Sequence, residues 1–128
     1  FDFTRARALG EQIAHEDEPL KIGSGYDHNF VARADCQDLS TPFAVVTDPE
    51  SGRILKVFTD SPGVQLYSGN FLGATGTGRE QTQYTDRCAL ALEPQAFPDA
   101  PNRSAFPAPW VRPGETHCST IVYKFSNI

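Results

Sequence analysis

Residues 43–59 read Phe-Ala-Val-Val-Thr-Asp-Pro-Glu-Ser-Gly-Arg-Ile-Leu-Lys-Val-Phe-Thr. Two runs rich in β-branched and aromatic residues, 43–47 and 54–59, flank a cluster of turn residues, Asp48-Pro49-Glu50-Ser51-Gly52. That arrangement reads as a β-hairpin. Working outward, the same texture repeats. A strand is expected over residues 30–34, a short one over 64–67, one over 89–95, and a final buried one over 118–125. Ten glycines and ten prolines punctuate these runs, as in an all-β protein. Residues 5–18 have weak helical character, but Gly10 and Pro19 favour irregular structure there. Six prolines between residues 94 and 113 predict a long irregular excursion, of the kind that frames sites. With no internal repeat and no linker, the chain reads as one β-sandwich domain.

Composition narrows the function. A chain of 128 residues suffices for one modest domain, and 39% hydrophobic residues exclude disorder for its bulk. No apolar run approaches the roughly 20 residues of a membrane span. A net charge of −5 argues against nucleic acid or an acidic membrane as partner. Cys36, Cys88 and Cys118 are odd in number and widely spaced. They suit free thiols in a reducing compartment such as the cytoplasm. No cysteine or histidine spacing matches a metal site. The stretch Gly-Ala-Thr-Gly-Thr-Gly at 73–78 lacks the lysine of a phosphate-binding loop. Neither a metal nor a nucleotide cofactor is expected.

The chemistry-bearing stretch is Ala-Leu-Ala-Leu-Glu-Pro-Gln at residues 89–95. Side chains alternate along a strand, so Leu90 and Leu92 point one way and Ala89, Ala91 and Glu93 the other. The leucines fill a core, and the alanines leave space beside the acid. Pro94 keeps Glu93 extended and is expected to end the ladder. A fixed carboxylate with open space next to it is what a proton-transfer catalyst needs. Taken alone, it reads more readily as a solvent-facing glutamate at a strand end, because glutamate is mostly exposed.

Other short stretches accompany it: Tyr26-Asp27-His28-Asn29-Phe30, the turn at 48–53, Ser61-Pro62-Gly63-Val64-Gln65-Leu66-Tyr67-Ser68-Gly69-Asn70-Phe71-Leu72, Phe97-Pro98-Asp99-Ala100-Pro101-Asn102, and Arg112-Pro113-Gly114-Glu115. In this order and spacing, from Phe1 to Phe125, the chain closely resembles the aldose 1-epimerase (galactose mutarotase) family. Members of that family are longer, so the resemblance implies that residues 1–128 are the C-terminal portion of a single mutarotase-like β-sandwich domain. It also implies that the full many-stranded "supersandwich" is incomplete here. The family's acid histidine would precede Phe1, so the expected partner is the N-terminal portion of the same fold.

The resemblance implies a function: interconversion of the α and β anomers of aldohexoses such as galactose and glucose by general acid/base ring opening. The alternatives are a non-catalytic carbohydrate-binding module and a truncated, inactive chain. Glu93 matches the family's catalytic base. Asp27 matches an aspartate that accepts hydrogen bonds from sugar hydroxyls, and a capping residue in a turn is the plainer reading. Gln65 matches a sugar-binding glutamine, and a polar residue serving a neighbouring strand is its plainer reading. Gln65 should share a strand face with Tyr67, opposite Val64 and Leu66. His28 is read as structural, not as the acid. Asp99 and Asn102 are expected to tie down the proline-rich loop.

Overall fold

A computed structural model describes residues 1–128, the side chain of Ala34 excepted. The described residues contain one short α-helix, α1 (Glu18–Gly23), and six strands: β1 (Asp27–Val31), β2 (Ala44–Thr47), β3 (Arg53–Thr59), β4 (Gly63–Tyr67), β5 (Ala91–Gln95) and β6 (Ile121–Asn127). They form two three-stranded sheets, ordered β1-β4-β5 and β2-β3-β6. β1 and β4 run antiparallel. The Ser68 N–H reaches the Tyr26 carbonyl at 2.9 Å, and the Ala32 N–H reaches the Pro62 carbonyl at 2.8 Å. The all-β reading therefore holds. Residues 5–17 are irregular apart from a 3-10 turn at Leu9–Glu11, as expected, and Pro19 opens a helix just beyond them. It sits in the first turn of α1, where its missing N–H leaves no bond unmade.

The chain groups into two compact units. One comprises Phe1–His28 with Gln65–Leu92, the other Asn29–Val64 with Glu93–Ile128. In the first, Tyr26 is almost fully buried. The rings of Phe1 and Phe3 pack edge-on against it, at 6.0 and 5.3 Å between centroids. In the second, the expected hairpin forms, with Ala44 opposite Val57 and Thr47 opposite Ile54. Its turn is built as its residue types predict. The Asp48 carboxylate accepts the N–H of Glu50 (3.2 Å) and of Ser51 (3.3 Å), and the Ser51 hydroxyl. Gly52 takes the left-handed backbone, φ 72°, that closes the turn onto β3. Asp99 accepts from the side chains of Asn102 (2.6 Å) and Arg103 (2.7 Å), so the proline-rich loop is tied down where expected.

β6 corrects the sequence reading. It pairs with β3 from Arg53 opposite Asn127 to Thr59 opposite Ile121. Yet every residue of β6 is exposed, Phe125 to 76%, while Val57 and Thr59 on β3 are fully buried. Composition makes a strand of residues 121–127. Burial needs a layer over it, and none of the described residues supplies one.

Candidate active site

Asp27 is not a turn cap. It opens β1, and its side chain is exposed. Gln65 is the central residue of β4, half-buried between the buried Val64 and Leu66. The alternation expected along this strand is observed, with Gln65 and Tyr67 both half-buried on the other face. Gln65 Nε2 donates to Asp27 Oδ1 at 2.8 Å. Structure thus brings together two of the three residues singled out from sequence. Among the described residues Asp27 Oδ2 has no hydrogen-bond partner, and Gln65 Oε1 is buried without a donor.

The residues on either side hold this pair still. The Asp27 N–H donates to His28 Nδ1 at 2.9 Å, so that nitrogen is the unprotonated one. The His28 ring packs edge-on to Phe1, 4.7 Å between centroids. Both contacts fit the structural role expected of His28. Tyr26, one residue upstream of Asp27, is clamped by a buried polar cluster. Its N–H donates to Ser68 Oγ at 3.0 Å. Asn70 Nδ2 donates to the carbonyls of Gly23 (2.7 Å) and Tyr26 (3.0 Å), and Asn70 Oδ1 lies 2.5 Å from Ser68 Oγ. Ser68 and Asn70 are each 4% exposed, and their polar atoms are partnered as buried groups must be. Gly25 makes room for the cluster. Its φ is 142°, and a Cβ there would overlap Asn70 Oδ1. Sequence reasoning missed Ser68, Asn70 and Gly25. In the chain they look like an ordinary Ser-Gly-Asn turn and a glycine between strands, and no spacing marks them as partners.

Glu93 lies in the second unit, the central residue of β5. Its side chain is exposed, and among the described residues no hydrogen bond or ion pair engages its carboxylate. Ala91 and Leu92 are both half-buried, and Leu90 and Leu92 do not reach a buried core, so burial does not separate the two faces expected of this strand. Pro94 does not end the ladder, as its type suggested, but lies within β5. β5 is an edge strand, and an edge position tolerates a residue without an N–H. Among the described residues no group of three or more His, Cys, Asp or Glu side chains is disposed to hold a metal ion.

A family model described as aldose 1-epimerase matches residues 1–124. The chain belongs to the aldose 1-epimerase family. It is 39% identical over 127 residues to the aldose 1-epimerase of Escherichia coli (strain K12), covering 98% of this chain and 36% of that protein. It is 38% identical over 126 residues to the galactose mutarotase of Homo sapiens, covering 98% of this chain and 35% of that one. Among solved structures, a GalM/aldose epimerase homologue from C. elegans aligns over all of this chain and 37% of its own, with a TM-score of 0.82 and 31% identity. The chain therefore spans about a third of the length of the aldose 1-epimerase relatives it matches. Asp27, Gln65 and Glu93 all fall inside the span the family matches.

Proposed function

We propose that this chain carries the base and the sugar-holding groups of an aldose 1-epimerase that acts on aldohexoses such as galactose and glucose. Glu93 is the base. It removes the proton from the C1 hydroxyl while an acid protonates the ring oxygen. The C1–O5 bond breaks, giving the open-chain aldehyde, which rotates about C1–C2. Reversal of the proton transfers closes the ring on either face. Two positioned proton-transfer groups are enough for this chemistry. Asp27, an ionised acceptor, takes hydrogen bonds from sugar hydroxyls, and Gln65 completes that polar pair. The acid, a histidine, comes from outside these residues. On the same reading, residues 1–128 are one portion of a single sandwich domain. Cys36, Cys88 and Cys118 are free thiols, which suits a cytoplasmic setting.

The observation that carries this reading is the family match over residues 1–124, with Glu93 exposed and its carboxylate unengaged inside that span. Polarimetry of freshly dissolved α-galactose or α-glucose tests it. In the full-length protein that carries this chain, Glu93→Gln should keep the fold and slow anomer exchange about 10²–10⁴-fold, the usual contribution of a general base. Near-normal acceleration by the variant would remove Glu93 from the mechanism. Binding of galactose with no acceleration by the unsubstituted protein would make it a carbohydrate-binding module instead.

A further inference from the structure

β6 lies open on a face that its neighbour buries. Residues directly opposite each other on paired strands point to the same side of the sheet. Ile121 stands opposite Thr59, Tyr123 opposite Val57 and Phe125 opposite Leu55. Thr59 and Val57 are fully buried, yet Ile121 is 43% exposed and Tyr123 49%. The layer over β3 thus stops one strand short. On the other side of the sheet Lys124 stands opposite Lys56, and among the described residues neither lysine has an ion pair. Like charges so placed are unfavourable. The outer edge of β6 is open as well. The Ile128 N–H donates to the Gly52 carbonyl and the Asp60 N–H to the Thr120 carbonyl. Bonding alternates along an antiparallel ladder, so Val122, Lys124 and Ser126 bond to β3, while the N–H groups of Ile121, Tyr123 and Phe125 point outward.

We propose that β6 is a docking edge for a strand of the same polypeptide from outside residues 1–128. That strand pairs along the outer edge, lays apolar side chains against Ile121, Tyr123 and Phe125, and sets a carboxylate opposite Lys124. This rests on the reading above of residues 1–128 as one portion of a single sandwich domain. Three observations choose the occupant. The chain spans about a third of the length of its relatives, and all of it aligns with 37% of a homologous chain, so family members carry ample polypeptide to supply a strand. A helix laid over the apolar stripe would bury the outward N–H groups without partners, which a strand does not. A second copy of β6 is penalised by charge. Lys124 is the central residue of Ile121–Asn127, so two-fold pairing over the whole strand would set it against itself and line up Lys56 and Lys124 of both copies in one row. Copies can associate only in registers that leave part of the strand unpaired. A carboxylate opposite Lys124 relieves the lysine pair instead.

Two measurements on the full-length protein that carries this chain decide the matter. The first needs no substitution. In amide hydrogen exchange, the N–H groups of Tyr123 and Phe125 should exchange as slowly as those of Val122 and Lys124, which bond to β3. Fast exchange at Tyr123 and Phe125 beside slow exchange at Val122 and Lys124 is the pattern of a free edge and overturns the proposal. The second reads the charge opposite Lys124. Lys56→Gln first removes the lysine on one flank, and the other neighbours of Lys124 on its side of the strand, Val122 and Ser126, are uncharged. In that background Lys124→Glu should raise the unfolding equilibrium constant about 2- to 30-fold, because an opposed charge pair becomes a like one. An unchanged constant would mean that no carboxylate faces Lys124 and would overturn the assignment of the occupant. The unfolding profile separates this proposal from the reading it rests on. One cooperative transition with fast Tyr123 and Phe125 amides sinks the docking edge and leaves the single domain standing. Two separate transitions sink the single-domain reading, and the proposal with it.

Discussion

Tyr26, the residue before Asp27, is held by two buried polar side chains from far along the chain. Ser68 and Asn70 reach back across more than forty positions to the backbone of Gly23 and Tyr26. Removing Asn70 would take the side-chain donor from the Gly23 carbonyl, one donor from the Tyr26 carbonyl, which keeps the Ser68 N–H, and an acceptor of the Ser68 hydroxyl. Asn70→Ala should therefore destabilise the fold by about 1–3 kcal/mol, read as a lower denaturation midpoint at unchanged slope. Gly25→Ala should destabilise for a different reason, since it combines a left-handed backbone with a steric overlap on Asn70 Oδ1. A midpoint unmoved in both variants would show that the cluster does not hold Tyr26. At this scale the sequence marked the residues with chemistry, Asp27, Gln65 and Glu93, because carboxylates and amides advertise themselves by type. It did not mark Ser68 and Asn70. Their importance lies in what they touch, and contact across such a separation is invisible until the chain is folded.

Elements were legible where local chemistry decides them. The hairpin of β2 and β3 follows from two β-rich runs and a turn whose Asp48, Ser51 and Gly52 each do the job their type allows. The start of α1 was not legible, because Pro19 reads equally as a breaker and as a first-turn residue. The exposure of β6 was not legible either. An apolar run signals a strand, but not whether another layer covers it. The outer edge of β6 and its apolar side chains Ile121, Tyr123 and Phe125 are a template for pairing with another chain. The 128-residue chain by itself should therefore self-associate. Phe125→Lys should raise the monomer fraction in sedimentation velocity at little cost to folding, since Phe125 is mostly solvated and lysine is a usual guard on strand edges. A parent chain that sediments as a monomer at all concentrations would show that β6 is not a sticky edge.

Over the whole molecule, four aspartates respond to acid in one direction. Hydrogen bonds from the side chains of Thr4, Ser40, Ser51 and Asn102, in that order, are the main reason that Asp2, Asp38, Asp48 and Asp99 are held below the usual aspartate value. A carboxyl whose folded-state pKa is depressed contributes stability that is present above its unfolded value, about 3.9, and is lost as the pH falls through the folded one. Thermal melts should thus show little change from about pH 7 to 5, and a falling Tm below about pH 4. A Tm that rises on acidification would contradict these hydrogen bonds. Among the described residues no helix is long and apolar enough to cross a membrane. The amino-acid sequence by itself determined the β class, the hairpin, the short strands and the residue types able to move protons or hold hydroxyls, because those depend on alternation, turn chemistry and functional groups within a few positions. Only the tertiary structure decided that Asp27 and Gln65 meet, that a buried Ser68–Asn70 cluster fixes the residue before Asp27, that Pro94 lies inside an edge strand, and that β6 stands open. Each of these depends on which distant segments pack together, and packing is set by the balance of burial and hydrogen-bond satisfaction over the folded chain, not by any local pattern.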